Sequence, residues 1–168
     1  MNLKSSLLII MILGLLGCKQ NPSEGKTENI NNPKVIDFDN KLAFNDFSKL
    51  NLDDKCVNLL DPKNTSEAER ESVINSWSNF HKKVSKFLLE EKFDWEVPDS
   101  TISIYNRIYF DKNGNINYYV FNINNPSISE GKKAEFETVL AKFSKSVQLE
   151  LQRDQAFSQC GKTKYLNY

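Results

Sequence analysis

Arginine and histidine are nearly absent from this chain, with three Arg and one His in 168 residues. Lys supplies most of the basic charge, and 22 basic side chains face 22 acidic ones for a net charge of zero. That balance excludes a bulk electrostatic nucleic-acid binder, which carries a basic surplus. A solitary His81 and the two cysteines Cys56 and Cys160, with no close ligand spacing, argue against a zinc site. No phosphate-binding glycine loop, metalloprotease helix or Gly-x-Ser-x-Gly turn is present. The acidic neighbours Asp53-Asp54 and Glu90-Glu91 point different ways, so they read as solvated charges and not as an acid–base pair. Neither catalysis nor a cofactor is expected. Long apolar runs are missing too. The stretch from Leu7 to Leu16 has ten residues, about half of what a membrane-spanning helix needs. What the chain does have is aromatic bulk, with 11 Phe, 6 Tyr and 2 Trp to build a core.

Lys4 followed by this short apolar stretch has the form of an export signal. Its end, Leu15-Leu16-Gly17-Cys18, resembles the lipobox of bacterial lipoproteins. The resemblance implies that residues 1–17 are removed, that Cys18 receives a diacylglyceryl thioether, and that its new amine is acylated. Several acyl chains anchor durably where one is marginal. Lys19 in place of Asp implies transfer to the outer membrane, and the lack of an acidic cluster in Lys19-Gln20-Asn21-Pro22-Ser23 favours a periplasm-facing orientation. Residues 18–34 are polar enough to read as a tether. The sixteen flexible residues after Cys18, Lys19 to Lys34, span roughly 20–24 Å.

With Cys18 lipidated, Cys56 and Cys160 remain for an oxidising compartment. A disulfide between them would tie the start of the domain to its end; the alternatives are two buried thiols or a metal site.

Residues 35–168 read as one domain. Phe44, Phe47 and Leu50 permit one or two helical turns. Ser66-Glu67-Ala68-Glu69 matches a capping box, and Val73, Trp77, Phe80, Val84 and Phe87 form one helical stripe, with His81 at the surface or boundary. Thr101 to Asp111 alternates, and Asn113-Gly114 signals a two-residue hairpin turn. That turn pairs Tyr109 with Tyr118 and Phe110 with Asn117, and puts Ile116, Tyr118 and Val120 opposite the isoleucine face. The fragment Asp111-Lys112-Asn113-Gly114-Asn115 also opens like a calcium loop, but Ile116 and Asn122 stand where Gly and Glu are required. Ser127-Ile128-Ser129-Glu130 offers a second capping box ahead of Phe136, Leu140, Phe143 and Val147. Residues 156–166 supply a last strand. The sum is an α+β domain: two amphipathic helices on one face of a small antiparallel sheet of about three strands.

The second face of the hairpin is too rich in tyrosine for an ordinary wet surface. Tyr105, Arg107, Tyr109 and Tyr118 are either a partner surface, since Tyr and Arg dominate interface hot spots, or core packed beneath the Cys56 region. The order helix, strand, Asn-Gly turn, strand, helix, strand, with Ile108-Tyr109-Phe110-Asp111-Lys112-Asn113-Gly114-Asn115-Ile116 at its centre, resembles the TonB C-terminal domain. The resemblance implies a peptide- or protein-binding module whose sheet edge near the C-terminus captures an extended segment. A transmembrane helix and long Pro-rich spacer are lacking, so energy transmission from the inner membrane is not implied. The expected partners are the membrane, through the lipid, and an envelope protein or peptide. An immunity-like inhibitory lipoprotein is the alternative, ahead of a cell-wall enzyme.

Overall fold

The alternating segment after the first long helix becomes the middle of the sheet. The computed structural model describes residues 32–167. In chain order its elements are β1 (Lys34–Asp37), α1 (Lys41–Ser48), a short 3-10 helix (Leu52–Asp54), β2 (Val57–Asn58), α2 (Glu67–Glu90), β3 (Thr101–Phe110), β4 (Ile116–Asn122), α3 (Glu130–Ser146) and β5 (Phe157–Leu166). The strands form one sheet in the order β1-β4-β3-β5-β2. The class is α+β, but the sheet is larger than three antiparallel strands. Both edges, β1 on β4 and β2 on β5, pair in parallel. Four and two residues are too few to show a period-2 pattern, and their partners lie far along the chain, so these edges leave no periodic signal in the sequence.

The hairpin holds the Tyr109–Tyr118 pairing, but Phe110 sits opposite Ile116, with Asn117 as an extra residue in a bulge. A bulge shifts the side-chain alternation by one residue. Ile116 therefore turns into the main core, not onto the face of Tyr118 and Val120 as the two-residue turn implied. The loop is longer than that turn, and its organiser is Asp111. Its carboxylate accepts from the backbone N–H of Asn113 at 2.8 Å and of Asn115 at 2.9 Å. Only Gly114, at φ +87°, occupies the left-handed region there.

Helices α2 and α3 cover the face bearing Ile102, Ile104, Ile108, Phe110, Tyr119 and Phe121. Phe136 of α3 packs against Trp95, Phe121 and Phe93 with ring centroids 4.7, 5.1 and 5.7 Å away. The buried stripe of α2 runs through Val73, Phe80, Val84 and Leu88, while Trp77 and Phe87 stay half-buried. Ser66 begins this helix, but its hydroxyl donates to the Glu69 carboxylate at 2.8 Å instead of capping a backbone amide. In α3 the cap is Ser129, two residues beyond the box expected at Ser127, and it accepts from the Lys132 amide at 3.2 Å. Val147 closes α3 in extended conformation, and Leu149 and Leu151 then bury themselves beneath the hairpin loop.

His81 is not a surface residue. It is 4% exposed and its Nδ1 bonds the Tyr165 hydroxyl, while the Tyr119 hydroxyl nearby donates to Asn106 Oδ1 at 3.0 Å. Burial drives the imidazole pKa down to about 3. Below the ordinary value near 6.5 the unfolded chain takes up a proton that the folded chain refuses, so stability falls as pH drops from 6.5 toward 3. Going from pH 7 to pH 5, this residue is expected to remove about 2 kcal/mol. Urea unfolding at both pH values should show that much larger a loss for wild type than for His81→Gln. Equal losses would mean that His81 titrates alike in both states.

Candidate functional site

The alternation of β3 sends Tyr105, Arg107 and Tyr109 to the face opposite the isoleucines. The chain from α1 through the 3-10 helix folds back over half of that face. Asn40 starts α1 by accepting from the Ala43 amide at 3.2 Å, and Phe47 on its inner side packs 5.6 Å from the Tyr109 ring and 5.5 Å from Tyr118. Asp53 pins the far end. Its two carboxylate oxygens accept from Arg107 Nη1 at 2.7 Å and from the Tyr109 hydroxyl at 2.6 Å. Burial, reinforced by this bond to a carboxylate, pushes the Tyr109 phenol above its ordinary pKa.

The four expected partner-binding residues therefore divide. Tyr109 is 1% exposed and belongs to a second core with Ile36, Phe47, Cys56 and Val120, and Tyr118 packs partly buried against it. Tyr105, 44% exposed, and Arg107 instead line an open groove of about 340 Å³ with Phe38, Phe44, Val120 and Asn122. The tyrosine-rich face is thus half core and half surface.

Cys56 and Cys160 do not form the expected disulfide; both are free thiols. The parallel register Val57↔Phe157 and Asn58↔Ser158 sets Cys56 beside Ala156, four residues before Cys160. At 3.3 Å per residue that is about 13 Å, beyond the roughly 7 Å between Cα atoms that a disulfide spans. Burial holds both thiols above their ordinary pKa. The even count of cysteines carried no information about this offset.

The last strand that the sequence predicts, β5, has an outer edge that is largely open. All ten of its residues pair with β3 on one side, but on the other side β2 reaches only Phe157 and Ser158. Ser158 offers its carbonyl outward to the Leu59 amide at 2.9 Å, and the Cys160 amide donates outward to Asn58 Oδ1 at 3.1 Å. In an antiparallel pair, successive residues direct their backbone groups to opposite sides. The amides and carbonyls of Lys162, Lys164 and Leu166 hence also point outward, where no strand of the described residues meets them. Gly161 marks where cover stops: a Cβ there would come 3.1 Å from the Trp77 ring. Past it, a groove of about 350 Å³ runs between α2 and the strand, lined by Trp77, Ser78, His81, Lys82, Ser85 and residues 162–164. The available signal was Lys162 and Lys164 themselves, since lysine is characteristic of unpaired edges.

No protein-family model, curated protein or solved structure matches this chain. Cys18, the expected lipidation site, lies outside the described residues. Among the described residues no helix is long and apolar enough to cross a membrane, and no cluster of three His, Cys, Asp or Glu is placed to hold a metal ion.

Proposed function

We propose that this is an outer-membrane lipoprotein, anchored through Cys18 and facing the periplasm, whose domain captures an extended segment of another envelope protein by strand addition. The observation that carries the reading is the outward row of backbone donors and acceptors at Lys162, Lys164 and Leu166. An unpaired edge supplies affinity through main-chain hydrogen bonds and selects through side-chain pockets on either side. The TonB-like order of α2, β3, β4, α3 and β5 supports the same reading. So does the layout of the second face, where the exposed Tyr105 sits directly across from Lys162. No chemistry on a substrate is required of any residue.

Lys164→Pro tests it. Proline at 164 deletes one outward N–H, while the bonds to β3 run through residues 163 and 165. Proline is tolerated on such an edge. Crosslinking of the intact protein in its own envelope is expected to lose its partner adduct at least roughly tenfold, the effect of a blocked strand register. The melting temperature should move by only a few degrees, about 1 kcal/mol or less. Lys164→Ala controls for the lost charge. Undiminished adduct in the proline variant would rule out pairing at this edge.

A further inference from the structure

We propose that the segment received by β5 is acidic, with carboxylates at alternate positions. The inference rests on the strand-addition reading and names the chemistry of its partner. Although the whole chain is neutral, neither Phe157–Leu166 nor the groove wall from Ser78 to Ser85 contains a single Asp or Glu. Lys82 borders the groove from α2, Lys162 and Lys164 border it from β5, and none of the three makes an ion pair among the described residues. Their neighbours Lys83 and Lys86 do, with Glu150 at 2.9 Å and Glu90 at 3.6 Å. Charge here is segregated, not dispersed.

Geometry sets the spacing. Lys162 and Lys164 are two residues apart on β5, so both side chains stand on the face of Tyr105 and Arg107. Directly opposed residues across a strand pair have Cβ atoms about 5 Å apart, within reach of a lysine–carboxylate contact. An incoming strand with carboxylates two residues apart meets both lysines at once. Its intervening side chain turns toward α2, where Ser78, Lys82 and Ser85 form a polar wall. His81 Nε2 and Thr163 Oγ1 lie buried by this wall without a partner among the described residues. The same lysines repel a second copy of β5, which keeps two molecules from pairing edge to edge.

The test uses the full-length protein in detergent micelles and three octapeptides: one alternating glutamate with threonine, a second with glutamine at each glutamate, and a third with lysine there. The glutamate peptide should bind roughly fivefold tighter than the glutamine peptide in low salt, the size of two exposed cross-strand ion pairs. The lysine peptide should be the weakest. Half-molar salt should close the gap between the first two, and Lys162→Glu with Lys164→Glu should make the lysine peptide the tightest. Equal binding of the glutamate and glutamine peptides overturns the acidic partner while leaving strand addition standing. A glutamate peptide that binds equally well with its backbone amides N-methylated keeps the charge preference and overturns edge pairing. If none of the three binds, both fall.

Discussion

Cys18→Ala is expected to abolish fatty-acid incorporation altogether and to leave a heavier precursor with its first seventeen residues attached. In the lipoprotein resemblance, processing follows thioether formation at the sulfur, so an alanine with no nucleophile blocks both. The physical effect is large because anchoring is multiplicative. One acyl chain binds a bilayer only marginally, with an association constant on the order of 10⁴ M⁻¹, whereas added chains make release negligible. Metabolic labelling with palmitate and intact-mass measurement of membrane and soluble fractions check it. Unchanged mass and unchanged sedimentation in the variant would remove the lipid anchor from the proposal. The domain itself is expected to keep its melting temperature, since the first described strand begins sixteen residues later at Lys34.

Gly114→Ala is expected to destabilise the domain by about 3–5 kcal/mol, the sum of left-handed strain and overpacking. The backbone at Gly114 has φ +87°, and a Cβ there would lie 2.5 Å from the Leu149 carbonyl oxygen and 3.0 Å from that of Leu151. Both obstacles are main chain, so a rotamer change cannot relieve them. The close approach exists because residues after α3 are laced to the hairpin loop: Leu149 N–H donates to Gly114 O at 2.9 Å, Gln148 Nε2 to Asn113 O at 2.8 Å, and Arg153 N–H to Lys112 O at 2.9 Å. The buried Leu149 and Leu151 would be levered out of the core. Urea denaturation should show the loss, and Asn113→Ala, one residue earlier on an exposed loop, should cost less than about 1 kcal/mol. Comparable losses at the two positions would contradict the packing described for Gly114.

The same pair of residues shows what a sequence can and cannot reveal. Asn113-Gly114 announced a hairpin, and the hairpin is there. The dipeptide could not announce that Asp111 would gather two backbone amides and lengthen the loop, nor that the bulge would send Ile116 to the opposite face. The amphipathic stripes of α2 and α3 were legible because the solvent enforces them. His81 was not, since its place inside depends on Tyr165, 84 residues away. Likewise the split of the tyrosine face, with Tyr109 buried and Tyr105 open, is decided by where α1 and Asp53 come to rest. As for the edge of β5, its openness is a property of how short β2 is, and two residues of strand leave almost no trace in a sequence.

The order of strands has a mechanical consequence. In a sheet arranged β1-β4-β3-β5-β2, only β3 runs against the other four. The chain enters at the leading end of β1, whereas the open row on β5 lies toward its trailing end, three strands across. Under the proposed anchoring at Cys18 and strand capture at β5, tension between the two would run diagonally along the strands, loading the rungs of each ladder together and not one after another as in unzipping. A molecule pulled in this way yields only when a whole ladder shears.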